Sequence, residues 1–230
     1  MRIAISQSNY IPWKGYFDLI ASVDLFVLFD EVQFTKRDWR NRNLIKGPKG
    51  PIWLTVPILT RGRYTQKISE VELAATNWRE KHWSSLRANY TRAPHFRSVA
   101  PAFEAAYNTG TESRLSELNA AFITLIFDKL GIETPIRQSS EFPLATERSQ
   151  RLLNICLDAG AKTYVSGPAA KAYLDQQLFE THGVSVEWFD YSGYEEYPQL
   201  WGSFDHHVST LDLLFNCGQD APSKMKCVRK

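Results

Sequence analysis

Residues 25–29 read Leu-Phe-Val-Leu-Phe, an unbroken apolar run that stops at an acid, Asp30. A run of this kind fits neither an amphipathic helix nor a strand with one wet face. It fits a strand buried on both sides, and such strands belong to parallel sheets covered by helices. The rest of the chain must therefore supply helices between strands. Ile3 to Ser6 is a second short run, ending in the polar turn Gln7-Ser8-Asn9-Tyr10. Pro12 stands where a helix can start without losing a hydrogen bond, and Phe17, Leu19, Ile20 and Val23 then recur at helical spacing. A third run, Ile52 to Val56, is closed by Pro57, which a central strand does not accept. To residue 60 the order is strand, helix, strand, loop, strand.

The middle of the chain reads as helix. Asn77 followed by Glu80 has the pattern of an N-cap with its reciprocal acid, opening a helix to about Tyr90. Pro94 and Pro101 punctuate two shorter helical stretches. Leu115, Leu118, Phe122, Leu125 and Ile126 form one stripe, closed by Gly131. Alternation then returns: a strand near 134–137, a helix from about Glu147 to Ala159, a strand at 162–165, a helix carrying Tyr173 and Leu174, and a strand at 184–189. Strands alternating with helices predict βαβ units. The expected fold is α/β: three-layer and Rossmann-like, a mostly parallel sheet with flanking helices and a helical middle segment over about 77–130. At 230 residues the chain is near the upper size for one core. One domain is expected over 1–218, followed by a polar, basic tail at 219–230 that frays.

A net charge of +2 is too small to indicate bare DNA or a membrane surface by itself. No run approaches the roughly 20 apolar residues of a membrane span, and nothing at the start resembles a signal peptide. The three cysteines include no Cys-x-x-Cys pair, which argues against a disulfide framework or zinc knuckle and fits a reducing compartment. A cytoplasmic protein without a membrane span is expected.

Open parallel sheets bind ligands beyond the carboxyl ends of their strands, and three polar clusters fall at such ends. The first runs from Gln7 through Asn9, Tyr10, Trp13, Lys14 and Gly15, where a helix start suits a phosphate or carboxylate. The second runs from Asp30 to Lys46 and is read as a loop. It gathers Gln33, Lys36, Arg37, Trp39, Arg40, Asn41, Arg42 and Lys46, with Asp38 as the acid among the cations. Guanidinium forks grip phosphate and rings stack on a base or sugar, so the mixture suits a nucleotide or sugar-nucleotide better than DNA. The third is Ser166-Gly167-Pro168, a strand-to-helix turn without the Gly-x-Ser-x-Gly frame of a hydrolase elbow. Asp30 and His82, with Lys81 beside it, are candidates for moving a proton, and Ser166 for a hydroxyl in the same crevice. Asp205-His206-His207 has no spaced third ligand, so no metal site is assigned.

The stretch Gln7 to Phe17 is similar to the pattern Q-P-x-Y-L-P-W-x-G-Y-F of the WbqC-like family, and Asp30 to Lys46 resembles its D-x-V-Q-Y-x-K-x-x-W-x-N-R-N-x-I-K. Further matches are Trp53 to Pro57, Lys81-His82, Tyr164 to Gly167, Tyr197-Pro198-Gln199 and Ser209 to Asn216. Ser8 and Phe34 depart from the pattern. The resemblance implies a place in bacterial surface-polysaccharide (O-antigen) clusters and a transferase acting on a nucleotide-linked sugar, with acyl or aminoacyl transfer to an amino-sugar as one form. A nucleotide would be the bound cofactor or substrate, its need for Mg²⁺ left open. A fainter resemblance joins Trp13-Lys14-Gly15-Tyr16 to the His-x-Gly-His of nucleotidylyltransferases, with both histidines replaced. Two other functions thus stay open: a nucleotide- or RNA-binding module, for example one that holds tRNA, and a nucleotidylyltransferase-like enzyme lacking those histidines.

Overall fold

Side chains alternate across a strand, and here the alternation builds two cores. A computed structural model describes residues 1–143, 145 and 147–228. Five strands form one sheet in the order β5-β2-β1-β6-β7, every neighbouring pair parallel: β1 (Arg2–Ser6), β2 (Leu25–Leu28), β5 (Ile136–Gln138), β6 (Thr163–Ser166) and β7 (Ser185–Trp188). Ile3, Ile5, Leu25, Val27 and Tyr164 face one side and pack on α5 (Arg148–Asp158) and α6 (Gln176–Thr181) through Leu153, Cys156 and Phe179. Ala4, Phe26, Leu28 and Val165 face the other. There they meet α1 (Lys14–Ala21), α2 (Trp78–Tyr90), α3 (Phe96–Thr109), α4 (Leu115–Leu130) and α7 (Thr210–Cys217). The result is a Rossmann-like α/β fold with helices on both faces of the sheet.

From β1 the chain steps outward to β2 and β5, then returns to the other flank of β1 for β6 and β7. The order therefore reverses between β1 and β6, which is where such sheets open a crevice at their carboxyl ends.

Several details differ from the sequence reading. The stretch read as a loop to Lys46 contains β3 (Arg42–Gly47), paired antiparallel with β4 (Gly50–Thr55) in a hairpin apart from the main sheet. Its mixed charge hides it, because polar side chains on both faces of β3 are held by partners from distant segments. Pro101 lies inside α3 and does not separate two helices. Asn77 makes no side-chain cap bond. Ser166-Gly167 leads into a 3-10 turn (Pro168–Ala172), not directly into an α-helix. The tail is not frayed: Ala221 and Val228 are buried, and the amides of Lys226 and Cys227 donate to the Asp18 carboxylate. Residues 229 and 230 lie outside those described. No helix among the described residues is long and apolar enough to cross a membrane.

Candidate functional site

The loop after β1 is pinned residue by residue from other elements. The Ser8 amide donates to Asp30 Oδ1 at 2.9 Å, just beyond the end of β2. Asn119 of α4, fully buried, donates to Ser8 Oγ at 3.1 Å and to the Arg40 carbonyl at 2.9 Å. The Tyr10 amide donates to the Trp39 carbonyl at 3.0 Å, and Asn43 Nδ2 donates to the carbonyls of Tyr10 and Ile11. Ile11 has φ of 37°, a conformation a β-branched residue adopts only under constraint, and Asn43 supplies that constraint. Tyr16, from the first turn of α1, donates its hydroxyl to the Gln7 carbonyl at 3.0 Å. A Cβ at Gly15 would collide with the Trp13 indole, so glycine there seats the ring that walls the cleft.

Arg40 lies across this loop. Its guanidinium donates to Asn9 Oδ1 and lies 3.6 Å from the Asp38 carboxylate. Asp30 is 3% exposed; its Oδ2 and Arg40 Nε are buried and unpartnered among the described residues. Burial pushes the Asp30 carboxyl above its usual range, against the Ser8 hydrogen bonds and the Arg40 charge, which lower it. Buried polar atoms are nearly always satisfied, so open ones at a sheet's carboxyl edge mark a place prepared for a ligand or water. Beside them opens a cavity of about 230 Å³ lined by Asn9, Pro12, Trp13, Trp39, Asn43 and His207. Tyr191 backs Trp13, ring centroids 5.3 Å apart.

His207 reaches this cavity from the irregular segment between Trp188 and Thr210. Its backbone N–H donates to Asp205 Oδ1 at 2.8 Å and its ring Nδ1 lies 3.2 Å from the same oxygen. An imidazole tied to a carboxylate through one nitrogen keeps the other for proton transfer. Among the described residues no group of three or more His, Cys, Asp or Glu is arranged to hold a metal ion.

The residues singled out in the sequence divide by place. Asn9, Trp13 and Trp39 line the cavity, while Gln7, Asp30 and Arg40 belong to the bonded network that holds the loop behind it. Asn41 and Asn43 are buried behind it, Asn41 donating to the Val56 carbonyl. Ser166 is buried at the end of β6 with its hydroxyl engaged by Tyr164, and Gly167 follows against Tyr191. Lys14 points under the 189–209 segment, its Nζ 3.3 Å from the Glu195 carbonyl and over the rings of Tyr194, Tyr197 and Phe204. Burial drives its pKa down to about 8. Lys46 Nζ donates to Gln199 Oε1 at 2.6 Å, anchoring the same segment. Gln33 and Lys36 lie on the outer surface, Arg42 is half-buried against Trp53, and Lys81 is exposed on α2.

His82 is enclosed in the helical layer. Its Nδ1 is 2.9 Å from the Tyr10 hydroxyl, which also bonds that of Tyr107, and Trp78 packs on it. It therefore fixes the back of the cleft loop. Burial lowers its pKa to about 4, so the unfolded chain takes up this proton before the folded one as pH falls. Stability is then complete above about pH 6.5 and declines toward pH 4, by on the order of 3 kcal/mol. Melting temperatures across that window should fall with acid, and His82→Gln should flatten the slope; an unchanged slope would remove His82 as its source.

The WbqC-like protein family model matches residues 7–224, and so takes in the β1 loop, the hairpin, α4, Asp205–His207 and α7. The chain belongs to the WbqC-like protein family. It is also similar to the uncharacterized protein Rv1507c of Mycobacterium tuberculosis, 47% identical over 229 residues that cover 100% of this chain and 99% of that one. No solved structure matches it. In this WbqC-like chain the segments that resemble the family pattern converge on two places. One is the cleft. The other is a buried hub at Asp212, which accepts from the hydroxyls of Tyr90 and Tyr197, each at 2.8 Å. Sequence reasoning missed Asn119, gave Tyr16 and Tyr191 no role at the site, and weighed Asp205-His206-His207 only as a metal site. Asn119 carries a readable signal, since it is a polar residue four positions after Leu115 on the buried stripe of α4.

Proposed function

We propose that this protein is a transferase acting on a nucleotide-linked sugar in surface-polysaccharide synthesis, moving an acyl or aminoacyl group onto an amino-sugar nitrogen. One observation carries the reading: the buried, unpartnered Asp30 Oδ2 and Arg40 Nε lie behind the loop after β1, whose Asn9 lines an indole-walled cavity. The Arg40 fork, steadied by Asn9 and Asp38, suits a phosphate. A cavity of about 230 Å³ is below the range of roughly 300–1,000 Å³ that holds a whole drug-sized ligand, so it suits one ring between Trp13 and Trp39, with the rest of the molecule outside.

In this reading the amine nitrogen attacks the carbonyl carbon of an ester or thioester donor. A C–N bond forms and the C–O or C–S bond breaks. The amine proton passes to the free nitrogen of His207, oriented by Asp205, which then hands it to the departing oxygen or sulfur and returns to the neutral form. A panel of sugar nucleotides tests the binding step by thermal shift. A ligand at about 100 times its Kd adds about 2.7 kcal/mol. For a chain of this size that raises Tm by roughly 5–11 °C. No shift with any sugar nucleotide would overturn the reading.

A further inference from the structure

Large rings are ordinarily buried, yet three stand out on one surface beside the cleft: Trp39, Trp53 and Tyr64, 41%, 43% and 74% exposed. Trp39 and Trp53 lie against each other with centroids 5.4 Å apart. Two of the rings carry a cation: the Arg42 guanidinium is 4.1 Å from the Trp53 ring and Lys36 Nζ is 5.5 Å from that of Tyr64. Gln33 Nε2 donates to the Tyr64 carbonyl at 3.0 Å, and with the Lys36 contact this ties the 60s loop to the 33–39 segment that carries Trp39.

The acids nearby are already taken. Glu31 pairs with Lys67 and Glu72 with Arg63, while Asp38 accepts from Thr35 and the Trp39 amide and lies beside Arg40. Among the described residues Lys36, Arg37, Arg42 and Arg61 have no carboxylate within ion-pairing distance. With a net charge of only +2 over the whole chain, this is a local concentration of positive charge.

Exposed rings interleaved with unpaired cations match one partner chemistry, a single-stranded polynucleotide, whose bases stack while its phosphates meet the cations. A duplex hides its base faces, and an acidic peptide would use the cations but leave the rings idle. Trp39 also walls the cavity at Asn9 and Trp13, so a strand lying on the platform would bring one end to the cavity mouth. We propose that a single-stranded polynucleotide docks across Trp53, Trp39 and Tyr64 with an end at this cavity. The inference names a second partner for the transferase proposed above, and rests on that reading for the strand's purpose but not for its binding.

Fluorescence anisotropy with labelled RNA of roughly 12 nucleotides, the same sequence as DNA, and the RNA duplex tests it on the full-length protein. The single strand should bind, with affinity falling between about 50 and 200 mM salt, and the duplex should bind at least about tenfold more weakly. Binding of RNA and DNA alike, or of RNA alone, supports the surface, and the preference identifies the strand. Trp53→Ala should weaken single-strand binding by about 5- to 100-fold, with some loss of Tm because Trp53 packs on Trp39 and Arg42. Tyr64→Ala, at the most exposed ring, gives the same readout with less demand on the hairpin. No binding at low salt, equal binding of duplex, or wild-type affinity in both variants would overturn the proposal. Strand binding without any sugar-nucleotide shift would instead leave it standing and remove the transferase reading.

Discussion

Arg40→Ala is expected to abolish sugar-nucleotide stabilisation and to lower the melting temperature, more where the Asp30 carboxyl is ionised than in acid. Arg40 combines two roles. In the proposed reading it offers the phosphate fork, and it supplies positive charge near a carboxyl, that of Asp30, held where water does not reach. Losing the fork should weaken ligand binding by about 100-fold or more, since charge-assisted bonds are the stronger ones. Removing one partner from a buried charge pair costs about 3–5 kcal/mol when burial is complete. Arg40 keeps some exposure, so about 2–3 kcal/mol is expected, a Tm loss of roughly 4–12 °C.

The pH dependence has a definite sign. Burial already holds the Asp30 carboxyl above its usual range, and the Arg40 charge moderates that shift. Without Arg40 the carboxyl rises further, and its ionised form is penalised in the folded state alone. The penalty vanishes where the carboxyl is protonated and grows as pH rises through its folded-state value. The gap in Tm between variant and wild type should therefore narrow on acidification. A pH-independent gap would mean that the guanidinium serves packing only. Arg40→Lys, which keeps charge but not the fork, should recover much of the stability and little of the ligand binding.

What could be read in advance was whatever periodicity controls. The run Leu25 to Phe29 meets both cores in alternation, and Ile3 and Ile5 oppose Ala4 as a strand's period requires. In the middle segment α4 followed from its stripe, whereas Pro101 reads as a break within α3. The hairpin did not follow, because β3 alternates Arg42, Leu44 and Lys46 with Asn43, Ile45 and Gly47, a pattern that mixes polarity on both faces. Its burial depends on Tyr90, Gln199 and the carbonyls of Tyr10 and Ile11, which lie 32 to 153 residues away. The packed tail escaped for the same reason: Asp18 grips amides 208 and 209 positions further on. At the site, residue type indicated the cleft loop and Arg40, while roles that depend on direction were not legible. Lys14 looks like a phosphate contact in sequence, yet it is enclosed by three rings. Asp205 and His207 are two apart, and only an irregular backbone lets such a pair meet.

Asp212→Ala is expected to lower Tm by about 6–20 °C and to loosen the cleft without touching it. Asp212 is fully buried and accepts from Tyr90 and Tyr197, with Asn216 completing its shell; Lys46 lies near enough for its charge to be felt. Alanine leaves the two buried hydroxyls of Tyr90 and Tyr197 without their acceptor and the Lys46 ammonium without a nearby countercharge, a loss of roughly 3–5 kcal/mol, which for a chain this long gives that shift. The damage should travel along bonded neighbours. Tyr197 passes it to Gln199, which ties Lys46 to the backbone of Asp205, two residues from His207. At the start of α7, Thr210 donates to the Pro12 carbonyl and the Ser209 amide to that of Leu44, both beside residues that line the cavity. The 189–209 segment should thus become the first site of limited proteolysis, and sugar-nucleotide binding should weaken although Asp212 lies outside the cavity wall. Tyr197→Phe removes one donor and leaves Asp212 its other partners, so it should cost about 1–2 kcal/mol and speed cleavage less. If Asp212→Ala melts lower but is cut no faster between 189 and 209, the hub braces the helical layer alone, and the segment that carries His207 is held from elsewhere.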